Sequence, residues 1–380
     1  MTFRCGCVGL FALVLAAPAR GGPAAQRPAA KPETHFKNTS RRDVTALERR
    51  LSDAVRREPD SVDARRALAG FYLQQGRLAE AIPHLQRAQA IDPADYASGY
   101  DLALALVETG KLDEARAQIA RMMSASENAE LLNLLGDLEQ RAGNFVAAAE
   151  PYQRAAHMSP TEEHLFDWGN NLLQLRSFGA ADEVFTAAIA RHPQSARLHV
   201  GLAIARYSQG RYEDAVKFFC EAADLDPSDP RPYQFLGEMY GVAPQLSGEL
   251  TGRLARFAKA QPRNALAQFY YAMSLWKGQP DGSQPVDLQQ VEALLRRTVA
   301  LDRRFAKAFL ELGILLSDAQ RYTESIPELR RATQLEPDLA QAHYRLAQAY
   351  RKTGQKALAA KELEIFTRLT GRGRPTTDGR

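Results

Sequence analysis

Nine times along this chain a small residue returns at the same point of a helical pattern: Ala69, Ala103, Gly136, Gly169, Ala203, Gly237, Ala272, Gly313 and Ala347. Seven of the eight intervals are 33 to 35 residues long, and the other is 41. The stretch Ala196–Pro227 shows one cycle in full. Leu198, Leu202, Ala203 and Tyr207 fall on one helical face. Ser208-Gln209-Gly210-Arg211 interrupts the pattern, and Gly210 can take the left-handed conformation that ends a helix. Ala215, Phe219 and Ala222 then resume at helical spacing until Asp226-Pro227, because proline cannot extend a helix. The unit is therefore two amphipathic helices that must stack on neighbours to bury their apolar faces.

Taking Ala196 as position 1, equivalent starts fall at Val62, Tyr96, Ala129, Glu162, Ala196, Pro230, Ala265, Ala306 and Ala340. Position 20 is small at Ala81, Ala115, Ala148, Ala181, Ala215, Ser325 and Ala359. Position 32 is proline, with small slips, at Pro93, Pro160, Pro193, Pro227 and Pro337. Small residues recur where the two helices of a hairpin must approach closely.

A 34-residue helix–turn–helix unit of this kind resembles the tetratricopeptide repeat. Trp168-Gly169 with Ala181, Phe185, Ala188 and Pro193 carries the pattern, as does Leu312-Gly313 with Leu329, Ala332 and Pro337. The resemblance runs over about residues 41–370, although the family's position-4 tryptophan is replaced, with Tyr233 and Phe309 as stand-ins. It implies an all-α fold, an α-solenoid coiled as a right-handed superhelix, serving as a protein- or peptide-binding scaffold. Repetition overrides the two or three domains that length alone suggests, so one elongated domain is expected.

The ends are different in kind. Residues 1–19 read as a secretory signal peptide: Arg4, an apolar run over Val8–Ala17, and the cleavage pattern Ala17-Pro18-Ala19. The run is half the length that crosses a bilayer, which takes about 20 residues. Residues 20–40 are a Pro/Ala-rich tether without period. Arg41–Glu58 reads as an unpaired capping helix on Leu47, Leu51 and Ala54, and its Arg41, Arg42, Arg49, Arg50, Arg56 and Arg57 read as a solvated cap face, with a docking site as the alternative. Gly241-Val242-Ala243-Pro244 ends a first helix early, Lys277–Pro285 lengthens a turn, and residues 371–380 form a basic tail. After the leader only Cys220 remains, so no intramolecular disulfide is available; it reads as a buried small hydrophobe or a reactive thiol.

No phosphate loop, zinc-protease helix, nucleophile elbow or paired-cysteine spacing occurs, so the expectation is a non-enzyme without cofactor or metal. His157 and His164 flank a turn but lack a third ligand at metal spacing. A net charge of +4 is too small to argue for nucleic acid.

In the repeat this chain resembles, positions 2, 5, 9, 12 and 13 of the first helix line the groove. Those positions here include Phe166, Leu173, Val200, Ile204, Tyr207, Phe269, Met273, Trp276, Leu310 and Ile314. The third unit offers Glu130, Asn133, Asp137, Gln140 and Arg141 instead. The apolar set is read as a water-facing binding groove, with burial between repeats as the alternative. The family's clamp for a terminal carboxylate needs Lys and Asn at positions 5 and 9; Asn170 is present, but Phe166 stands in place of the lysine. The expected role is an exported scaffold for a protein or peptide partner, peripheral to an envelope complex, since export with this repeat resembles bacterial periplasmic or envelope assembly factors. The rival reading is a polysaccharide-associated accessory protein gripping glycan with Tyr207, Trp276 and Tyr344.

Overall fold

Seven of the nine first helices begin behind a side chain that caps them. Ser61, Asp95, Asn128, Thr161, Ser195, Asp229 and Asn264 each accept a backbone N–H of the first turn, satisfying donors that a helix start leaves unpaired. The computed structural model of the chain describes residues 41–239, 244–278 and 286–371. The leader, the tether, residues 240–243, residues 279–285 of the lengthened turn and residues 372–380 lie outside the described residues.

The chain divides into two compact units, residues 1–193 and 194–380, where one elongated domain was expected. The first unit contains α1 (Arg41–Arg57), α2 (Val62–Gln74), α3 (Leu78–Ile91), α4 (Tyr96–Glu108), α5 (Leu112–Ala125), α6 (Ala129–Arg141), α7 (Phe145–Met158), α8 (Glu162–Gln174) and α9 (Phe178–Arg191). The second contains α10 (Ala196–Ser208), α11 (Tyr212–Leu225), α12 (Pro230–Glu238), α13 (Ser247–Ala260), α14 (Ala265–Lys277), α15 (Leu288–Leu301), α16 (Ala306–Asp318), α17 (Tyr322–Leu335), α18 (Ala340–Lys352) and α19 (Lys356–Thr370). All nine first helices start at the residue that the register numbers as position 1. Among the described residues there is no strand, and each unit is an all-α solenoid of helix hairpins.

The hairpin turn is set by one left-handed residue. Gly76, Gly110, Gly143, Gly210 and Gly354 have positive φ, and Arg176 and Gln320 take the same conformation without being glycine. The following N–H then reaches back to close the first helix, as from Arg77 to the Tyr72 carbonyl at 2.9 Å and from Asn144 to Glu139 at 2.8 Å.

Within a hairpin the small residues let the helices touch. Ala81, Ala115, Ala148, Ala181 and Ala215 at position 20 are fully buried. A Cβ on Gly136 would lie 2.6 Å from the Tyr152 ring, and one on Gly313 would lie 2.6 Å from Leu329. The sixth unit departs from this. Its first helix has nine residues, and Gly237 is covered by Tyr270 of the next unit, 2.1 Å from where a Cβ would sit.

Position 4, where the family keeps tryptophan, is Gly99, Leu132, Leu165 or Phe309 in four units, and in others a polar side chain there satisfies a carbonyl at or just beyond the end of the preceding helix. The Tyr233 hydroxyl donates to Ala223 at 3.3 Å, and the Gln268 amide donates to Ala258 at 2.9 Å. A ring nitrogen of His343 at position 4 lies 3.0 Å from the Pro337 carbonyl, and His164, one place earlier at position 3 of its unit, lies 2.7 Å from that of Ser159.

Each unit has its own core. In the first, Val44, Leu47, Leu51 and Val55 of α1 cover a cluster that includes Leu68, Leu85, Leu102 and Ile119. In the second, a cluster around Leu310, Ile314, Leu329 and Leu346 is flanked by Trp276. Cys220 is buried, and burial pushes its thiol up to about 12, which keeps it protonated and unreactive.

Candidate functional site

The positions expected to line a groove are positions 2, 5, 9, 12 and 13 of the first helices. In the first unit these positions belong to α2, α4, α6 and α8, and two side-chain contacts show the last three lying side by side. Asn133 Nδ2 donates to Asp167 Oδ2 at 2.9 Å, and Arg141 pairs with Glu108 at 2.6 Å. Asn133 is 4% exposed, and its Oδ1 has no hydrogen-bond donor within reach among the described residues. The amide oxygens of Gln140 and Asn170 are in the same condition. A buried amide oxygen without a donor costs about 1–3 kcal/mol, so these three are acceptors that the packing of the hairpins leaves unsatisfied.

Charge distinguishes this face further. Asp101, Glu130, Asp137, Glu163 and Asp167 occupy its positions 2, 6 and 9. The cations at equivalent positions, Arg66 and Arg141, are engaged by Asp95 at 3.6 Å and Glu108 at 2.6 Å. Asp137 accepts from the Tyr152 hydroxyl at 2.8 Å, which fixes its carboxylate against α7.

In the second unit the balance is reversed. Lys277 pairs with Glu311, Lys307 with Glu238 at 2.9 Å, and Arg345 with Asp318 at 3.4 Å, each linking a first helix to another. Arg351 and Lys352 at the end of α18 are exposed.

The structure corrects the accessibility expected of the apolar set. Val200, Ile204, Phe269, Met273, Leu310 and Ile314 are buried, as is Leu173 in the first unit. Large apolar side chains at these positions are covered by the neighbouring hairpin: the Phe269 ring packs 4.8 Å from Phe305, and Leu310 and Ile314 join the core that Trp276 flanks. Phe166, Tyr207 and Trp276 are half-buried. Phe166 packs 6.2 Å from Phe185, Tyr207 packs 5.2 Å from Tyr212, and the Lys277 ammonium lies 4.7 Å over Trp276. Tyr344 is exposed beside Phe366.

The acidic bias of the first unit escapes a search for apolar stripes. Reading position 6 beside position 9 would have found it, because Asp101 and Asp167 recur at position 6 of the second and fourth units. Among the described residues no three His, Cys, Asp or Glu side chains gather as a metal site; His157 packs on Trp168 instead.

Stacked hairpins whose first helices present these faces define a helical-repeat scaffold for protein interactions. The chain belongs to the tetratricopeptide repeat family. Models described as tetratricopeptide repeat match residues 45–96, 166–230, 72–138 and 341–369, and one described as TPR repeat matches 315–354, which together span more than half of the chain. The chain is 25% identical over 218 residues to BBSome complex member BBS4 of Bos taurus, covering 57% of this chain and 41% of that protein. It is 25% identical over 283 residues to the protein CTR9 homolog of Arabidopsis thaliana, covering 68% of this chain and 24% of that protein. It thus spans less than half the length of either relative. The C-terminal part of a TPR repeat-containing protein from Cytophaga hutchinsonii superposes with a TM-score of 0.52 at 17% identity, over 63% of this chain and 96% of that one, a likeness of fold.

Proposed function

We propose that the chain is a non-enzymatic scaffold that holds an extended segment of a protein partner along the first helices of its first unit. The observation that carries this is the set of amide oxygens on Asn133, Gln140 and Asn170 without donors. An extended backbone offers N–H groups at alternate positions along one edge, and such groups would satisfy them. Membership of a repeat family used for protein interactions supports the reading, and so does the name of the BBS4 relative, a member of a complex. A photo-crosslinking amino acid at Gln140 in the full chain, in its native cells, tests it. The same group at Val146, which is 77% exposed on a second helix, is the control. Adducts to a protein at 140 and not at 146 are expected. Equal labelling at both, or none at 140, would refute the site.

We further propose that the protein works outside the cytoplasm as part of an envelope assembly, on the strength of the leader-like residues 1–19. Mass spectrometry of extracytoplasmic protein should then find a chain starting near Arg20. Full-length chain confined to the cytoplasm would end this reading.

A further inference from the structure

We propose that the outer face of α1 docks the chain against an anionic phospholipid bilayer, a surface separate from the partner site on the first helices. Its side chains are placed for this. Val44, Leu47, Leu51 and Val55 pack against the core of the first unit, so the opposite face turns outward. There Arg49 and Arg56 are seven residues apart, as are Arg50 and Arg57, which makes two rows of cations spaced roughly 10 Å along the helix. All four are exposed, against Asp43 and Asp53 among the acidic side chains. Arg56 pairs with Asp53, and Arg57 donates only to the Asp53 carbonyl, at 3.3 Å. Glu48 is held by Arg77. Arg49, Arg50 and Arg57 thus have no carboxylate partner among the described residues.

Charge along the chain is segregated in the same sense. Residues 20–57 carry ten Lys and Arg against four Asp and Glu, whereas residues 58–339 carry 29 against 38. A negative surface attracts this end and repels the array behind it, which orients the chain as well as holding it. Residues 340–380 are basic too, with nine against three, so charge alone does not choose between the ends. The apolar run Val8–Ala17 does choose, because it is joined to the α1 end and to no other. Any engagement of that run with a bilayer delivers α1 to the same surface, which favours lipid over nucleic acid as the polyanion. Each arginine close to such a surface is worth about fivefold in affinity, and the attraction fades beyond a Debye length.

Cosedimentation of the full chain with vesicles tests this. Vesicles of phosphatidylglycerol and phosphatidylcholine in equal parts are expected to bind at least about tenfold more tightly than phosphatidylcholine alone at low salt, with the difference lost at high salt. The triple variant Arg49→Gln, Arg50→Gln, Arg57→Gln should lose at least about tenfold on the mixed vesicles. Arg351→Gln, Lys352→Gln, Lys356→Gln removes the same charge at exposed positions of the other end and should bind as the parent does. If the α1 triple variant proves unfolded by its melt, Arg50→Gln alone should weaken binding about fivefold, and an unchanged affinity there would overturn the proposal. Equal losses in the two triple variants would trace binding to net charge and overturn the α1 face. Equal binding to both kinds of vesicle would assign the contact to the apolar run, with the same consequence. Binding of a DNA duplex through these arginines, with none to vesicles, would overturn the bilayer in favour of nucleic acid. None of these results bears on crosslinking at Gln140, which tests the partner site by itself.

Discussion

Gly169 and Phe185 are in contact so close that a Cβ on the glycine would lie 2.6 Å from the ring's Cζ. They stand at positions 8 and 24 of one hairpin, so the contact of α8 with α9 depends on an absent side chain. Gly169→Leu is expected to cost about 1–3 kcal/mol through overpacking. Because repeats contact their neighbours chiefly, hydrogen exchange should rise first over residues 162–191. Protection unchanged in that window, with a lowered melting temperature elsewhere, would show that the contact is dispensable.

Arg176 and Gln320 hold left-handed backbone, with φ of 56° and 60°, where five other hairpins use glycine. A side chain there costs about 1–2 kcal/mol, and glycine's greater freedom when unfolded returns about 0.5–1 kcal/mol of that. Arg176→Gly and Gln320→Gly are each expected to stabilise by about 0.5–1 kcal/mol in urea titration, and Gly210→Ala to destabilise. A loss of stability in both glycine variants would mean that the two side chains make contacts worth more than the strain.

Arg77 joins Glu48 to Glu80, and at the same point of a later hairpin Arg321 joins Glu292 to Glu324. The guanidinium hydrogen bonds hold all four carboxyls below their ordinary value of 4.5, and Arg116 does the same to Glu139. A lowered carboxyl contributes stability that is complete above pH 4.5 and is lost as pH falls through the depressed value. Burial raises Glu328, which acts in the opposite sense. The melting temperature is therefore expected to hold between pH 7 and 5 and to fall below about pH 4.5, less steeply in Arg77→Met, Arg321→Met. An identical acid slope in that variant would remove these pairs from the explanation.

Trp276 is half-buried against the core of Leu310 and Ile314, with the Lys277 ammonium over its ring. A fully buried tryptophan replaced by alanine loses about 3–5 kcal/mol; half burial makes about 2 kcal/mol the expected loss for Trp276→Ala. A near-native urea midpoint would instead mark the ring as surface kept for a ligand.

The register was legible because it rests on a local steric demand: only small residues fit at Ala81 or Gly313, and they recur wherever two helices meet. The accessibility of the groove was not. Phe269 and Met273 occupy groove positions, yet size and apolarity let a neighbouring hairpin cover them, an outcome that periodicity within one helix does not encode. Asn133 was on view as a groove residue, but its bond to Asp167, 34 residues later, exists only once the repeats stack. The division at residues 193 and 194 has no counterpart in the repeat pattern, since the step from Glu162 to Ala196 has the ordinary length of 34.

Repeat arrays change length in evolution by losing or duplicating whole cycles, and the packing of Gly237 decides where that is possible here. Excising one 33-residue cycle from the first unit, such as residues 128–160, rejoins like to like, with Thr161 taking over the capping role of Asn128. The sixth cycle cannot be excised in this way. Tyr270 fills the space over Gly237, and its hydroxyl reaches Glu238 at 3.4 Å, so removing that cycle leaves a large ring with no cleft to enter. The sixth and seventh hairpins are therefore expected to tolerate deletion only together.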